Sequence, residues 1–281
     1  MHKTDYAILR ICRVIEVSSS GYYKWRKSRI SKRKAEDKKL LKDIQKHHEL
    51  SYRIYGSPRI EKELRKNGIK TSKKRVARIM QENGIRSIIK RKYKSTTNSK
   101  HRLPVAENLL NQDFSVSRLD SLWTSDITGI WTKEGWLFLV IILEVKSRQI
   151  ISWKVSNNLS KNFVIDATAI AIKIRKPKEA LIFHSDQGVQ YASLEMRKLL
   201  ITNNITQSMS KRGDCFDNAI TETFFHSLKT EWVYQKTYET RKEAENSLFI
   251  YIELFYNRKR LHSSLNYNSP IDYEKNILQN I

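Results

Sequence analysis

Three acidic side chains stand where an ionised carboxylate is costly without a partner. Asp126 lies inside Trp123-Thr124-Ser125-Asp126-Ile127-Thr128, a strand-like run with apolar or aromatic neighbours on both sides. A carboxylate there must be paired or bind a cation. Asp186 directly follows the apolar run Leu181-Ile182-Phe183, within His184-Ser185-Asp186-Gln187-Gly188, and the carboxyl ends of such strands are where α/β sheets present site residues. Glu222 falls in the helical stretch from Asn218 to Phe225. With Phe225 at i+3 and Leu228 further round, it sits near the packed face of that helix. Strand, strand end and helix together would offer hard oxygen ligands, which suit Mg²⁺ or Mn²⁺; zinc favours His or Cys. Two such ions, about 3.5–4 Å apart, can clamp the attacking and leaving oxygens of a phosphodiester during in-line displacement. Singly, each carboxylate has a plainer reading: Asp126 paired with a lysine, Asp186 capping a turn, Glu222 facing solvent. Together, in this order of elements and behind a strongly basic front, they point to phosphodiester chemistry.

The elements that must position them are legible as an α/β domain. Leu122 to Trp131, Trp136 to Val145 and Gln149 to Val155 read as three strands with short connections, an antiparallel meander. A helix over 162–174, a short buried strand at 180–183, a helix over 193–203 and a strand at 205–209 follow. Two longer helices, about 217–233 and 240–257, come last. Three strands, helix, strand, helix, strand, helices is the order of a ribonuclease-H-like α/β domain, expected here over 105–281.

Ahead of it the chain is basic and helical. Lys and Arg number 53 against 29 Asp and Glu, a net charge of +24, and residues 1–104 carry +22 of it. A field of one sign that strong calls for a polyanionic partner, since neutralising phosphates releases condensed counterions. Residues 1–54 read as a basic helical segment, in which Tyr22, Tyr23 and Trp25 suit either phosphate contact or a small helical core. Over 55–86, Pro58 opens a helix to Lys66, Gly68 punctuates, Thr71 or Ser72 can cap, and a second helix runs from Lys73 to Glu82. That outline matches a helix-turn-helix reader, with Arg59, Lys73, Lys74, Arg75 and Arg78 as candidate DNA contacts. Residues 87–104, including Lys90, Arg91 and Lys92, read as a polar basic linker able to follow a DNA backbone.

Asp186 and Glu222 are separated by 35 residues, and around them stand Trp-Thr-Ser-Asp-Ile-Thr (123–128), His-Ser-Asp-Gln-Gly-Val-Gln-Tyr (184–191), Gly-Asp-Cys-Phe-Asp-Asn-Ala (213–219), Glu-Thr-Phe-Phe-His-Ser-Leu-Lys-Thr-Glu (222–231) and Tyr-Asn-Arg-Lys-Arg-Leu-His-Ser-Ser-Leu (256–265). This DD(35)E arrangement closely resembles the second-frame (OrfB) protein of bacterial insertion-sequence transposases with an integrase catalytic core. The resemblance runs from about Cys12 to Tyr273, and Tyr55 to Ile60 with its two helices looks like that family's helix-turn-helix. It implies a ribonuclease-H-like core with Asp126, Asp186 and Glu222 as catalytic ligands of two Mg²⁺ (or Mn²⁺) ions. It also implies binding of terminal inverted repeats, cleavage to a 3′-OH, and transfer of that 3′-OH to a second phosphodiester. Glu144 departs from the pattern, where relatives usually carry Asp. Many relatives are fused by frameshifting to an upstream-frame protein, so such a partner is implied here, as is a homo-oligomer that joins two element ends on DNA. Lys229, two helical turns beyond Glu222, is a candidate for a DNA-end phosphate; His184 and His226 are candidates to back the ligands. Arg258 and His262 suit either fold or DNA.

Other classes fit less well. Cys12 and Cys215 match no metal-ligand spacing. The longest apolar run, Trp136 to Leu143, is too short to span a bilayer, so a cytoplasmic protein acting on the nucleoid is expected, without a membrane partner. A hydrolytic nuclease of the same fold would share the metal site and stop at cleavage. A regulator built on a dead core would lack one or more of the carboxylates, and a structural nucleic-acid-binding protein would leave all three unexplained.

Overall fold

The computed structural model describes residues 7–27, 31–88, 104–211 and 218–279. They divide into two compact units, 1–87 and 88–281.

In the first unit α1 (Ile8–Val14) packs on α2 (Ser19–Lys27). Three further helices, α3 (Lys32–Leu50), α4 (Ser57–Lys66) and α5 (Lys73–Glu82), pack on one another. Each has a short apolar stripe at helical spacing: Leu40, Ile44 and His48 on α3, Ile60 and Leu64 on α4, Val76, Ile79 and Met80 on α5. Ser31 and Ser72 cap α3 and α5 by accepting the N–H of Lys34 at 3.2 Å and of Arg75 at 3.3 Å. Gly68, at φ +78°, turns the chain after α4, a backbone state that suits glycine. The two helices expected over 55–86 are thus α4 and α5. α3, read from sequence as part of a separate basic segment, packs against both.

The second unit is built on a five-stranded sheet of order β3-β2-β1-β4-β5. β1 (Leu122–Thr132), β2 (Gly135–Glu144) and β3 (Ile150–Ser156) form the antiparallel meander, and β4 (Leu181–Ser185) and β5 (Ile205–Met209) add in parallel beside β1. The helices α6 (Lys161–Arg175) and α7 (Leu194–Thr202) share one core with the sheet, made by Trp123, Val140, Phe163, Val164, Phe183, Met196 and other buried residues. α8 (Ala219–Glu231) and α9 (Arg241–Phe249) contact β1 from the sequence that follows. Helices on both sides explain why β2 is a nearly continuous apolar run rather than an alternating one. This is the mixed sheet of a ribonuclease-H-like core.

Two features at the C-terminal end differ from the sequence expectation. The helix expected over 240–257 is α-helical only to Phe249 and continues as a π-helical segment, Ile250–Tyr256, which buries Tyr251, Ile252, Phe255 and Tyr256. A further helix, α10 (Pro270–Gln279), closes the described chain. Its Glu274 meets Arg175 at 2.6 Å and accepts the Ser147 hydroxyl at 2.6 Å. Ser147 and its N–H also bond Glu144, each at 2.6 Å. Glu144 is therefore a buried acceptor of the β2–β3 turn, which accounts for a carboxylate at that point without a role as metal ligand.

Candidate active site

Strand pairing brings the first two carboxylates side by side. β1 and β4 run in parallel register through Ser125 opposite Ser185, and Asp126 and Asp186 are the next residue along each. Alternation puts Asp126 on the same face of β1 as Thr124. That face meets α8, because Thr221 donates its hydroxyl to Thr124 Oγ1 at 2.7 Å, both groups buried. Glu222 is the residue after Thr221, in the first turn of α8. One hydroxyl pair therefore fixes the helix that carries the third carboxylate against the strand that carries the first.

The opposite face of β1 is tied just as closely. Ser125 and Tyr191 share a buried hydrogen bond of 2.7 Å. Tyr191 ends the loop that starts at Asp186, and its ring lies 6.4 Å from that of Phe183 on β4. Within the loop, the Gly188 N–H donates to Asp186 Oδ1 at 3.0 Å. A Cβ on Gly188 would stand 2.9 Å from that same oxygen and 3.1 Å from Gln190 Oε1. Glycine is thus required here by a close approach rather than by a left-handed backbone. Asp126 Oδ1 accepts the N–H of Ile127 at 2.7 Å.

The electrostatics of the three groups are linked. Burial, then the Asp186 charge, pushes the Asp126 carboxyl well above the ordinary carboxylate range; Glu222 adds to this, while the Ile127 N–H and Lys229 oppose it. Burial also raises Glu222. Lys229 is lowered by burial and held up in part by the Asp126 charge. The Tyr191 hydroxyl is raised well above its usual value by burial, then by Asp126 and Asp186. Like charges on neighbouring strands at a poorly solvated point favour a cation or a shared proton. The donor set is oxygen only, which fits Mg²⁺ or Mn²⁺. Among the described residues no three acidic, His or Cys side chains are already closed around one point; Asp126 and Asp186 lie on neighbouring strands and Glu222 in the first turn of α8.

The remaining sequence candidates divide. His184 is buried on β4, its Nδ1 2.9 Å from Ser208 Oγ on β5, so it braces the strand that delivers Asp186. His226 is exposed, and among the described residues no hydrogen bond joins its ring to the carboxylates. Arg260 and His262 are buried and belong to the fold, whereas Arg258 is exposed. Lys73 and Lys74 are exposed on α5, and Arg59 lies over the Tyr55 ring at 5.5 Å. Arg75 and Arg78, expected to contact DNA, form ion pairs within the protein. Arg75 Nε donates to Asp37 Oδ1 at 2.8 Å, and Arg78 donates to Asp37 Oδ2 at 2.6 Å and to Glu82 at 2.9 Å. Lys90, Arg91, Lys92 and the 213–217 part of the Gly-Asp-Cys motif lie outside the described residues. Sequence reasoning passed over Thr124, Ser125, Thr221 and Tyr191. Their signal was a cluster of small hydroxyls flanking Asp126 in a strand otherwise apolar.

Residues 117–215 match the integrase core domain family, 222–278 match a second integrase core domain family, and 34–93 match an HTH-like domain. The chain is 38% identical over 265 residues to the insertion element IS600 uncharacterized 31 kDa protein of Shigella sonnei, covering 94% of this chain and 97% of that one. It is 37% identical over 275 residues to transposase InsF for insertion sequence IS3A of Escherichia coli (strain K12), covering 97% and 96%. Among solved structures, the catalytic core domain of BIV integrase aligns at 19% identity with a TM-score of 0.41, over 57% of this chain and 98% of that chain.

Proposed function

The chain belongs to the insertion-sequence transposases of the InsF kind, and from that premise we propose that Asp126, Asp186 and Glu222 hold the divalent metal ions of its polynucleotidyl transfer. It is a DNA transposase, with an integrase core and an HTH-like domain. The observation that supports the site assignment is geometric: the parallel register of β1 and β4 sets Asp126 beside Asp186, and the Thr221–Thr124 hydrogen bond sets the helix that carries Glu222 against β1.

Two Mg²⁺ (or Mn²⁺) ions would supply charge neutralisation at the attacking and leaving oxygens of an in-line displacement. The protein's own groups position them and the DNA. Asp126 stands within β1 and Asp186 just past the end of the adjacent β4, and Thr221 holds Glu222's helix to β1. Lys229 holds a phosphate of the element end near the carboxylates. The helical unit binds the terminal inverted repeats, with Arg59, Lys73 and Lys74, and beyond the described residues Lys90, Arg91 and Lys92, on the DNA side. Cleavage leaves a 3′-OH. Its oxygen attacks the target phosphorus, the new P–O bond forms as the old one breaks, and the departing 3′ oxygen takes up a proton. Two ends must be joined, so the protein works as a homo-oligomer on DNA. An upstream-frame partner and a place on the nucleoid in the cytoplasm complete this reading. It agrees with the described helices, none of which is long and apolar enough to cross a membrane.

The test is strand transfer by the purified chain, using labelled element-end DNA and a supercoiled target with Mg²⁺, Mn²⁺ or EDTA. Wild type should give metal-dependent cleavage and joined products, and Glu222→Gln neither. Full activity of Glu222→Gln would overturn the assignment. Cleavage without joining would restrict the chain to hydrolysis or show that it needs its upstream partner.

A further inference from the structure

In the helical unit a groove of about 820 Å³ runs between the start of α3 and the start of α5, lined by Lys32, Arg33 and Glu36 on one side and Lys74, Arg75 and Arg78 on the other. Its cations fall into two sets. Arg75 and Arg78 both bind Asp37, at 2.8 and 2.6 Å. Arg78 also forks onto the two oxygens of Glu82, at 2.9 Å each, and Arg75 reaches Glu36 at 3.4 Å. A guanidinium already held in charge-assisted bonds must give them up to grip a base edge. Lys32, Arg33 and Lys74 are exposed and have no ion pair among the described residues.

We propose that this groove seats the phosphate backbone of duplex DNA, with Lys32, Arg33 and Lys74 contacting phosphates and with Arg75 and Arg78 acting as positioning residues that lock α3 onto α5 through Asp37. The inference rests on the reading of the helical unit as DNA-binding, and it reassigns the roles within that unit. The Lys32 and Lys74 ammonium groups bind phosphates as point charges on flexible stems, and the Arg33 guanidinium can pair a phosphate through two N–H groups. The Arg75 and Arg78 forks, of the kind that read guanine in the major groove, are spent on Asp37 and Glu82. The basic start of α3 thereby becomes part of the DNA face, and helix-turn-helix reading by α4 and α5 alone does not account for it. Contacts to phosphate fix register on the duplex and carry no sequence information, so this groove contributes affinity to any DNA, and discrimination of the element end arises elsewhere.

The experiment measures binding of the full chain to an element-end duplex and to a scrambled duplex of equal length across a salt series, without divalent metal. Lys32→Gln, Arg33→Gln and Lys74→Gln should each reduce the slope of log K against log salt by about 0.9, one phosphate contact apiece. The reduction should be equal on both duplexes and leave their affinity ratio unchanged. Lys46→Gln, on α3 roughly 20 Å further along the helix, should leave the slope alone. Arg78→Gln should lower the melting temperature of the helical unit without changing how single base substitutions in the element end are ranked. The groove assignment fails if the three variants keep the wild-type slope, or if Lys46→Gln shifts it as much as they do. It fails equally if Arg78→Gln re-ranks the base substitutions with stability intact. Absence of binding by wild type to either duplex would instead remove the DNA-binding reading of the whole unit.

Discussion

Thr221 on α8 and Thr124 on β1 are 97 positions apart in the chain and meet through one buried hydrogen bond of 2.7 Å. Each flanks a carboxylate, Thr221 next to Glu222 and Thr124 two residues before Asp126. Replacing Thr221 by Val keeps the shape and removes the donor. A buried bond of this kind contributes about 1 kcal/mol, so thermal stability should fall little. Strand transfer should fall at least tenfold, because α8 is no longer pinned at the level of Asp126. Parallel measurement of melting temperature and joining rate checks this; a rate loss that merely tracks the stability loss would count against it.

Gly188 offers a sharper separation of site from fold. A methyl group there would press on Asp186 Oδ1 from 2.9 Å, while the backbone φ at this position places no special demand on the residue. Gly188→Ala should fold and bind DNA as wild type does. It should lose roughly tenfold or more in cleavage, the equivalent of about 1.4 kcal/mol in the barrier. Normal cleavage kinetics for this variant would show that the Asp186 carboxylate is free to move without penalty.

The buried pair Arg260 and Glu231 should dominate stability at the C-terminal end. Two Arg260 nitrogens reach the two oxygens of Glu231 at 2.6 and 2.8 Å, and the Tyr251 hydroxyl adds a third bond at 2.9 Å. Both side chains are less than a tenth exposed, at 6% and 8%. Removing one partner leaves an uncompensated charge, which costs about 3–5 kcal/mol. Glu231→Leu should therefore melt far below wild type. The double change of Glu231→Leu with Arg260→Met should recover much of the loss, as a thermal denaturation cycle would reveal.

Asp37 predicts how the helical unit responds to acid. Hydrogen bonding to Arg78, then to Arg75, together with their charges, holds its carboxyl below the usual carboxylate range, against a smaller upward push from burial. The folded value lies below the unfolded one, about 3.9. The stabilisation is thus fully present above that value and is lost as pH falls through the folded value. Wild type should lose helical stability on the acid side of pH ~4. Asp37→Asn should be less stable at neutral pH and show a flatter response to acid. Melts followed by circular dichroism from neutral to strongly acidic pH distinguish the two, and identical profiles would exclude Asp37 as the anchor.

How far the sequence discloses this protein depends on whether the signal is local. α5 over Lys73–Glu82 and β5 over Ile205–Met209 lie where apolar spacing and caps put them. The three carboxylates were legible because each sits in a local context, strand, strand end or packed helix face, that penalises an idle charge. The docking of α3 was not, since its stripe of Leu40, Ile44 and His48 is thin and embedded among lysines. Nor was the capture of Arg75 and Arg78 by Asp37, because an ion pair 38 to 41 positions apart leaves no trace in spacing. The change from α to π winding after Phe249 has no residue signature either; it becomes visible only once Tyr251, Phe255 and Tyr256 are seen on one buried face.

The long reach between Thr124 and Thr221 sets an order of events during synthesis. The ribosome delivers the helical unit first, with short-range contacts that can close early, whereas the third carboxylate emerges 96 positions after the first. Pairings that distant form late. A chain ending before α8 would hold the whole helical unit and lack Glu222, so on the roles proposed above it would bind DNA without a complete metal site.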